Sequence, residues 1–118
     1  MQWRGRNQAT KDQTQETEMI LPEESSGAKQ GAKFALGQVF TTGPILQKLS
    51  KAEIYAALSR HSLCDWGEVL KEDWQANDRA FIEGTRLLSA YRSKGGLKFW
   101  IITEADRSST TVLFPEEY

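Results

Sequence analysis

His61 is the only histidine in the chain, and Cys64 and Asp65 follow it closely. An imidazole titrates near neutral pH, so His61 is the default general base. Asp65 could orient it. Cys64 could act as a nucleophile if His61 drew its proton. Three residues across a helix end do not guarantee that geometry. A metal site built from His61 and Asp65 lacks a third ligand at helical spacing, so no metal is expected. The alternative is structural: a lone histidine on the apolar face of a helix is commonly a satisfied core or cap residue. The "DWG" of Asp65, Trp66 and Gly67 then reads as a turn. In it Trp66 buries its ring and its indole N–H finds a carbonyl. Asp65 caps the helix or accepts backbone amides.

A second cluster lies in "TEADRSST", where Glu104, Asp106, Arg107, Ser108, Ser109 and Thr110 crowd one turn. A carboxylate and Arg107 could together hold a phosphate or another anion. The same residues could equally satisfy one another, with Asp106 folding back onto nearby amides and Arg107 pairing with Glu104 or Asp106. Loops carry binding groups more often than cores do, so Glu104, Asp106, Arg107, Ser108 and Thr110 form the leading candidate rim. A third group is Tyr91, Trp100 and Arg92, with Lys94 and Lys98 nearby. These could stack and hold single-stranded nucleic acid, or simply pack a sheet face. A hydrolase or nuclease centred on His61, Asp65, Asp106 and Arg107 requires those four to converge on one cleft.

The elements that must position these residues read as an α+β domain, in the order β-α-α-α-β-β-β. "GQVFTTG" is a short N-terminal strand, bracketed by glycines. Pro44 opens a helical stretch, and Ser50 starts a second helix through the capping box "SKAE". Ile54, Ala57, Leu58 and His61 fall on one face of that helix. A third helix runs from about Lys71 to Glu83, with Trp74, Asn77 and Phe81 on one side and Gly84 as its C-terminal cap. "TRLLSAYRS", "LKFWIITE" and "STTVLFP" follow as a three-stranded antiparallel meander, turning at "KGG". Along Leu97 to Glu104 both faces carry bulky apolar groups. Either a partner or ligand covers the face the helices leave, or a small curved sheet buries parts of both.

The chain has 118 residues, which suits one domain. Hydrophobic residues make up 39% and charged residues 26%, as in a soluble globular protein. Net charge is −1, and residues 34–118 carry ten basic and eleven acidic side chains. No global field therefore draws the chain to nucleic acid or to an anionic membrane. The longest apolar run, "FWII", is far too short to span a bilayer, and the N-terminus lacks a signal-peptide h-region. With one cysteine there is no internal disulfide and no multi-cysteine zinc site. These features fit a cytoplasmic protein. Residues 1–33 are polar, with balanced charge and few bulky apolar groups, and are expected to be a disordered tail. Its "MILP" stretch is either a docking patch or a second translation start.

"DWGEV" after a histidine-bearing helix, then "GTRLLSAYRS", then "KFWIITEADRSSTTVLFPEEY", resembles a family of small uncharacterised bacterial proteins of plasmids and other mobile elements. The resemblance covers roughly Leu36 to Tyr118. Family members carry labels such as "plasmid-related protein" and "type I restriction endonuclease subunit M". The family usually reads Arg-His and then Gly-Asp-Trp-Gly; here Cys64 takes the glycine's place. The resemblance supplies no reaction. A methyltransferase would need a glycine-rich adenosylmethionine loop and a motif such as Asn-Pro-Pro-Tyr; neither is found, and no cofactor is expected. The function expected is non-enzymatic binding of a host or element-encoded protein; the resemblance implies an accessory role, or an anti-defence one such as inhibiting restriction or CRISPR machinery. The alternatives are the small hydrolase or nuclease above, and a nucleic-acid-binding module.

Overall fold

The computed structural model describes residues 17–19 and 31–118. Its elements are β1 (Thr17–Met19), β2 (Gln38–Thr42), α1 (Gly43–Lys48), α2 (Lys51–Ser62), α3 (Lys71–Glu83), β3 (Leu87–Arg92), β4 (Lys98–Thr103) and β5 (Ser109–Leu113). A 3-10 turn, Pro115–Glu117, follows β5. The expected tail falls outside the described residues except at 17–19 and 31–33. Within it, β1 pairs antiparallel with β2, placing Met19 opposite Phe40. Among the described residues, no helix is long and apolar enough to cross a membrane.

Local chemistry explains the helices. Pro44 sits in the first turn of α1, where its missing N–H costs nothing. At α2 the Ser50 hydroxyl accepts from the Glu53 amide at 3.1 Å, and the Glu53 carboxylate accepts from the Ser50 amide at 3.0 Å. Helix α3 carries Glu72 and Asp73 in its first turn and ends on Gly84, at φ 76°. That left-handed conformation is cheap only for glycine.

β3, β4 and β5 form the expected antiparallel meander. The first strand of the domain adds a relationship that the sequence reading left out. β2 lies parallel to β5, with Val39 beside Thr110 and Thr41 beside Val112. The domain sheet is therefore four-stranded and mixed, and β1 extends it to the order β1-β2-β5-β4-β3. A parallel neighbour needs a long crossover, which the intervening helices and hairpins supply.

Strand register sorts the side chains. Val39, Thr41, Leu87, Ser89, Tyr91, Phe99, Ile101, Thr103, Thr110 and Val112 share one face. On it the apolar members pack with Ile45 of α1 and Ile54, Ala57 and Leu58 of α2. Leu87 joins Trp66 and Ala80 in a second cluster beside α3. The opposite face holds Ile102 and Leu113, both buried, with Leu88, Trp100 and Tyr118 packed against them. The chain thus buries parts of both faces by itself, the second of the two arrangements expected.

β3 is the sheet's outer strand, but its edge is occupied. The Asn77 side chain binds both the N–H and the carbonyl of Leu88. Farther along, Ala90 donates to the Trp66 carbonyl and accepts from the Glu68 amide. Gly67 lies opposite Ala90 at φ 76°, and a Cβ there would come within 2.0 Å of the Ala90 oxygen. Covering an edge in this way removes a template for pairing with other chains.

Candidate functional site

His61 stands in the last turn of α2 and is fully buried. Its ring meets Phe34 and Trp66 edge-on, at centroid distances of 5.3 and 5.7 Å. Nδ1 lies 2.5 Å from Ser89 Oγ, and Nε2 lies 2.8 Å from Thr103 Oγ1. Thr103 Oγ1 is 2.7 Å from Thr110 Oγ1, and the Thr110 hydroxyl donates to the Leu36 carbonyl at 2.7 Å.

That last bond sets the direction of the whole chain. Thr110 has given its proton to Leu36, so it accepts from Thr103. Thr103 has then used its own proton and must accept from His61. Nε2 therefore carries the hydrogen, and Nδ1 accepts from the Ser89 hydroxyl. A neutral imidazole satisfies every member. Burial, with a smaller contribution from the nearby Arg107 cation, pushes the His61 pKa down to about 3. A general base works best with a pKa near its operating pH, and this one lies far below neutrality.

Asp65 is engaged elsewhere. Its carboxylate takes Arg60 Nε at 2.8 Å and Nη2 at 3.3 Å, and accepts from the Gly67 amide at 3.1 Å. The Arg60 bond is the main force holding its pKa below the usual range. Cys64 sits between them at φ 65°, an unusual conformation for a residue with a side chain. Burial raises its thiol pKa, which favours the protonated, unreactive form. Trp66 donates its indole N–H to the Asp78 carboxylate at 2.9 Å, rather than to the carbonyl expected.

In the turn between β4 and β5, Asp106 folds back as expected. Its Oδ1 accepts from the Ser108 amide at 3.0 Å and the Ser108 hydroxyl at 2.6 Å. Arg107 does not pair with the carboxylate of Glu104 or Asp106. Its guanidinium reaches inward to four carbonyls: Thr85 at 2.7 Å, Glu104 at 3.1 Å, Ala105 at 3.2 Å and Ala80 at 3.3 Å. It also lies over the Phe34 ring. Ala80 is in the last turn of α3 and Thr85 lies just past it, so the cation meets the negative end of the helix dipole. Glu104 approaches Arg86 at 3.6 Å, and burial raises its pKa. Thr110 is buried in the His61 relay.

The aromatic candidates separate. Tyr91 is buried under the helices, and its hydroxyl donates to the Asp65 carbonyl at 2.6 Å. Trp100 pairs in register with Ala90, so it occupies the opposite face, edge-on to Tyr118 at 5.5 Å. Arg92 and Lys98 share the Trp100 face; Tyr91 does not. A single stacking surface of Tyr91, Trp100 and Arg92 is not formed.

The structure also gives the side chains of His61, Asp65, Asp106 and Arg107 four separate sets of hydrogen-bond partners, with no hydrogen bond between any two of these side chains. Among the described residues, no group of three or more His, Cys, Asp or Glu side chains could hold a metal ion. The sequence reading placed Asn77 on one side of the third helix but assigned no partner to it, to Ser89 or to Thr103. A signal existed: Ser89 and Thr103 are polar residues inside the otherwise apolar runs "LLSAY" and "FWIIT". A buried polar residue in such a run needs an internal partner. Comparison with protein-family models, curated proteins and solved structures finds no match.

Proposed function

We propose that this chain is a non-enzymatic accessory protein that acts by binding another protein. The observation that carries the reading is the commitment of its reactive groups. His61 is sealed in a neutral relay, Asp65 is forked onto Arg60, Cys64 is held as a thiol, and Arg107 grips carbonyls. Each supports the fold, and no two of these four side chains are hydrogen-bonded to each other. The resemblance to proteins of plasmids and other mobile elements gives the role its direction: a cytoplasmic accessory or anti-defence protein aimed at host restriction or CRISPR machinery.

The test is affinity capture of tagged chain from a bacterial lysate, followed by titration of each captured protein in purified form. Saturable binding to one purified partner supports the reading. Turnover of an ester or phosphodiester substrate that disappears in Asp65→Asn overturns it in favour of an enzyme.

A further inference from the structure

We propose that the β3–β4 hairpin presents a docking site for an acidic peptide segment of a partner protein. The inference rests on the protein-binding reading and names the chemistry of the partner.

The hairpin segment "RSKGGLK" contains Arg92, Lys94 and Lys98 and no acidic residue. Beside it lies a cavity of about 250 Å³. Lys48 enters from the end of α1, Arg92 from the end of β3 and Lys98 from the start of β4. Glu116, beyond β5, is the only carboxylate in the lining. Three cations thus face one anion. Arg92 is held by Glu68 at 3.0 Å. The Lys48 and Lys98 side chains have no hydrogen-bond or ion-pair partner among the described residues. Two ammonium groups therefore stand ready for an incoming anion without first breaking an internal pair.

The cavity is not wholly polar. Leu97, 41% exposed, and Phe114 contribute apolar surface to it. A second cavity of about 150 Å³ lies along the same hairpin, and Arg92 lines both. It adds Arg60 and Lys94, opposed by Glu53. An extended segment crossing the hairpin could place one carboxylate beside Lys48 and Lys98, another beside Lys94, and an apolar side chain on Leu97.

Charge complementarity favours a peptide over a nucleic-acid strand. Phosphates come at fixed, closely spaced intervals, and Glu116 and Glu53 interrupt the cations along this path. A peptide can space its carboxylates to avoid them, and its backbone N–H groups can donate to Glu116. A net charge of −1 over the chain gives a polyanion no long-range attraction.

The experiment is a titration of the full-length nitrogen-15-labelled chain at low salt, followed by NMR. The probe is a short blocked peptide alternating glutamate with leucine and phenylalanine. The control probes are the same peptide with lysine for glutamate and a short oligothymidylate. The proposal expects the glutamate peptide alone to shift the Arg92, Gly96, Leu97 and Lys98 amides. It expects affinity to fall about tenfold in Lys48→Glu/Lys98→Glu, and less in the Gln/Gln pair. The spectra of these variants report whether the fold is kept. No shift, a shift that the variants leave unchanged, or tighter binding of the oligothymidylate at the same amides each overturns the proposal. If a partner captured by the wild type also binds Lys48→Glu/Lys98→Glu equally well, this site is refuted while the protein-binding reading stands.

Discussion

The side chain of Asn77 is bonded to the Leu88 peptide at both ends, donating from Nδ2 to the carbonyl at 2.8 Å and accepting from the N–H at 3.1 Å. One amide thereby acts as a short piece of neighbouring strand and ties α3 to the sheet. Asn77 is buried, so truncation leaves two backbone groups poorly solvated. Asn77→Ala should destabilise by about 2–4 kcal/mol. Asn77→Asp should also destabilise, because a carboxylate cannot donate to the Leu88 oxygen. Urea unfolding of the three proteins checks this; a loss below about 0.5 kcal/mol for Asn77→Ala would mean that water replaces the amide.

The neighbouring contact at Gly67 makes a steric prediction. Gly67→Ala places a Cβ against the Ala90 oxygen and the Tyr91 ring, in a conformation that disfavours any side chain. The segment 66–68 should then detach from β3. Hydrogen exchange at the Glu68 and Ala90 amides should accelerate in this variant while β5 stays protected.

His61 makes stability depend on pH. Its pKa in the folded state, about 3, lies below the ordinary value of 6.5. The unfolded chain therefore binds a proton first as pH falls. Stability is fully present above about pH 6.5 and is lost downward toward pH 3, at up to about 1.4 kcal/mol per pH unit. Asp65, Asp106 and Glu53 have lowered pKa values and add their own losses only in the more acidic carboxylate range. Glu104, raised by burial above its ordinary 4.5, acts in the opposite sense from that value upward. Of these groups only His61 makes stability fall as pH drops from neutrality toward about pH 5. Urea midpoints should fall over this interval in the wild type and stay flat in His61→Gln. A flat wild-type profile would show that the buried ring accepts a proton without cost.

Arg107 serves as a clamp between the β4–β5 turn and the end of α3. Arg107→Ala should cost about 1–3 kcal/mol. Arg107→Lys should recover little, because an ammonium cannot reproduce a planar fork spread over four carbonyls. Thermal melts compare the three. Full rescue by lysine would reduce the clamp to simple charge.

Cys64 occupies left-handed backbone at φ 65°. Cys64→Gly should hold or raise Tm, since relief of strain offsets the lost thiol packing and the added flexibility of the unfolded chain. Cys64→Val should lower Tm, because branching at Cβ makes this conformation worse.

Much of the fold was written locally. The Ser50–Glu53 box, the Gly84 cap and the "KGG" turn each act within a few residues, and each appears where the sequence places it. What escaped was nonlocal. The parallel pairing of β2 with β5 joins segments some seventy residues apart in the chain, and no short pattern encodes it. The partners of His61 come from β3 and β4, and the relay ends on β5, so spacing around His61 itself pointed instead to Cys64 and Asp65. Arg107 was legible as a cation in a turn. Its targets are backbone carbonyls, which every residue has, so the sequence offered acidic side chains as more obvious partners.

The central place of β5 also sets a timetable for synthesis. Of the sheet's strands β5 leaves the ribosome last, yet it lies between β2 and β4 and joins them. A nascent chain that stops short of Ser109 holds two fragments, β1–β2 and the β3–β4 hairpin, with no strand pairing between them. It also lacks Thr110, so the protons on Thr103 and His61 have no fixed direction. The domain can therefore close only after translation has passed β5, and until then its emerging halves depend on the helices alone.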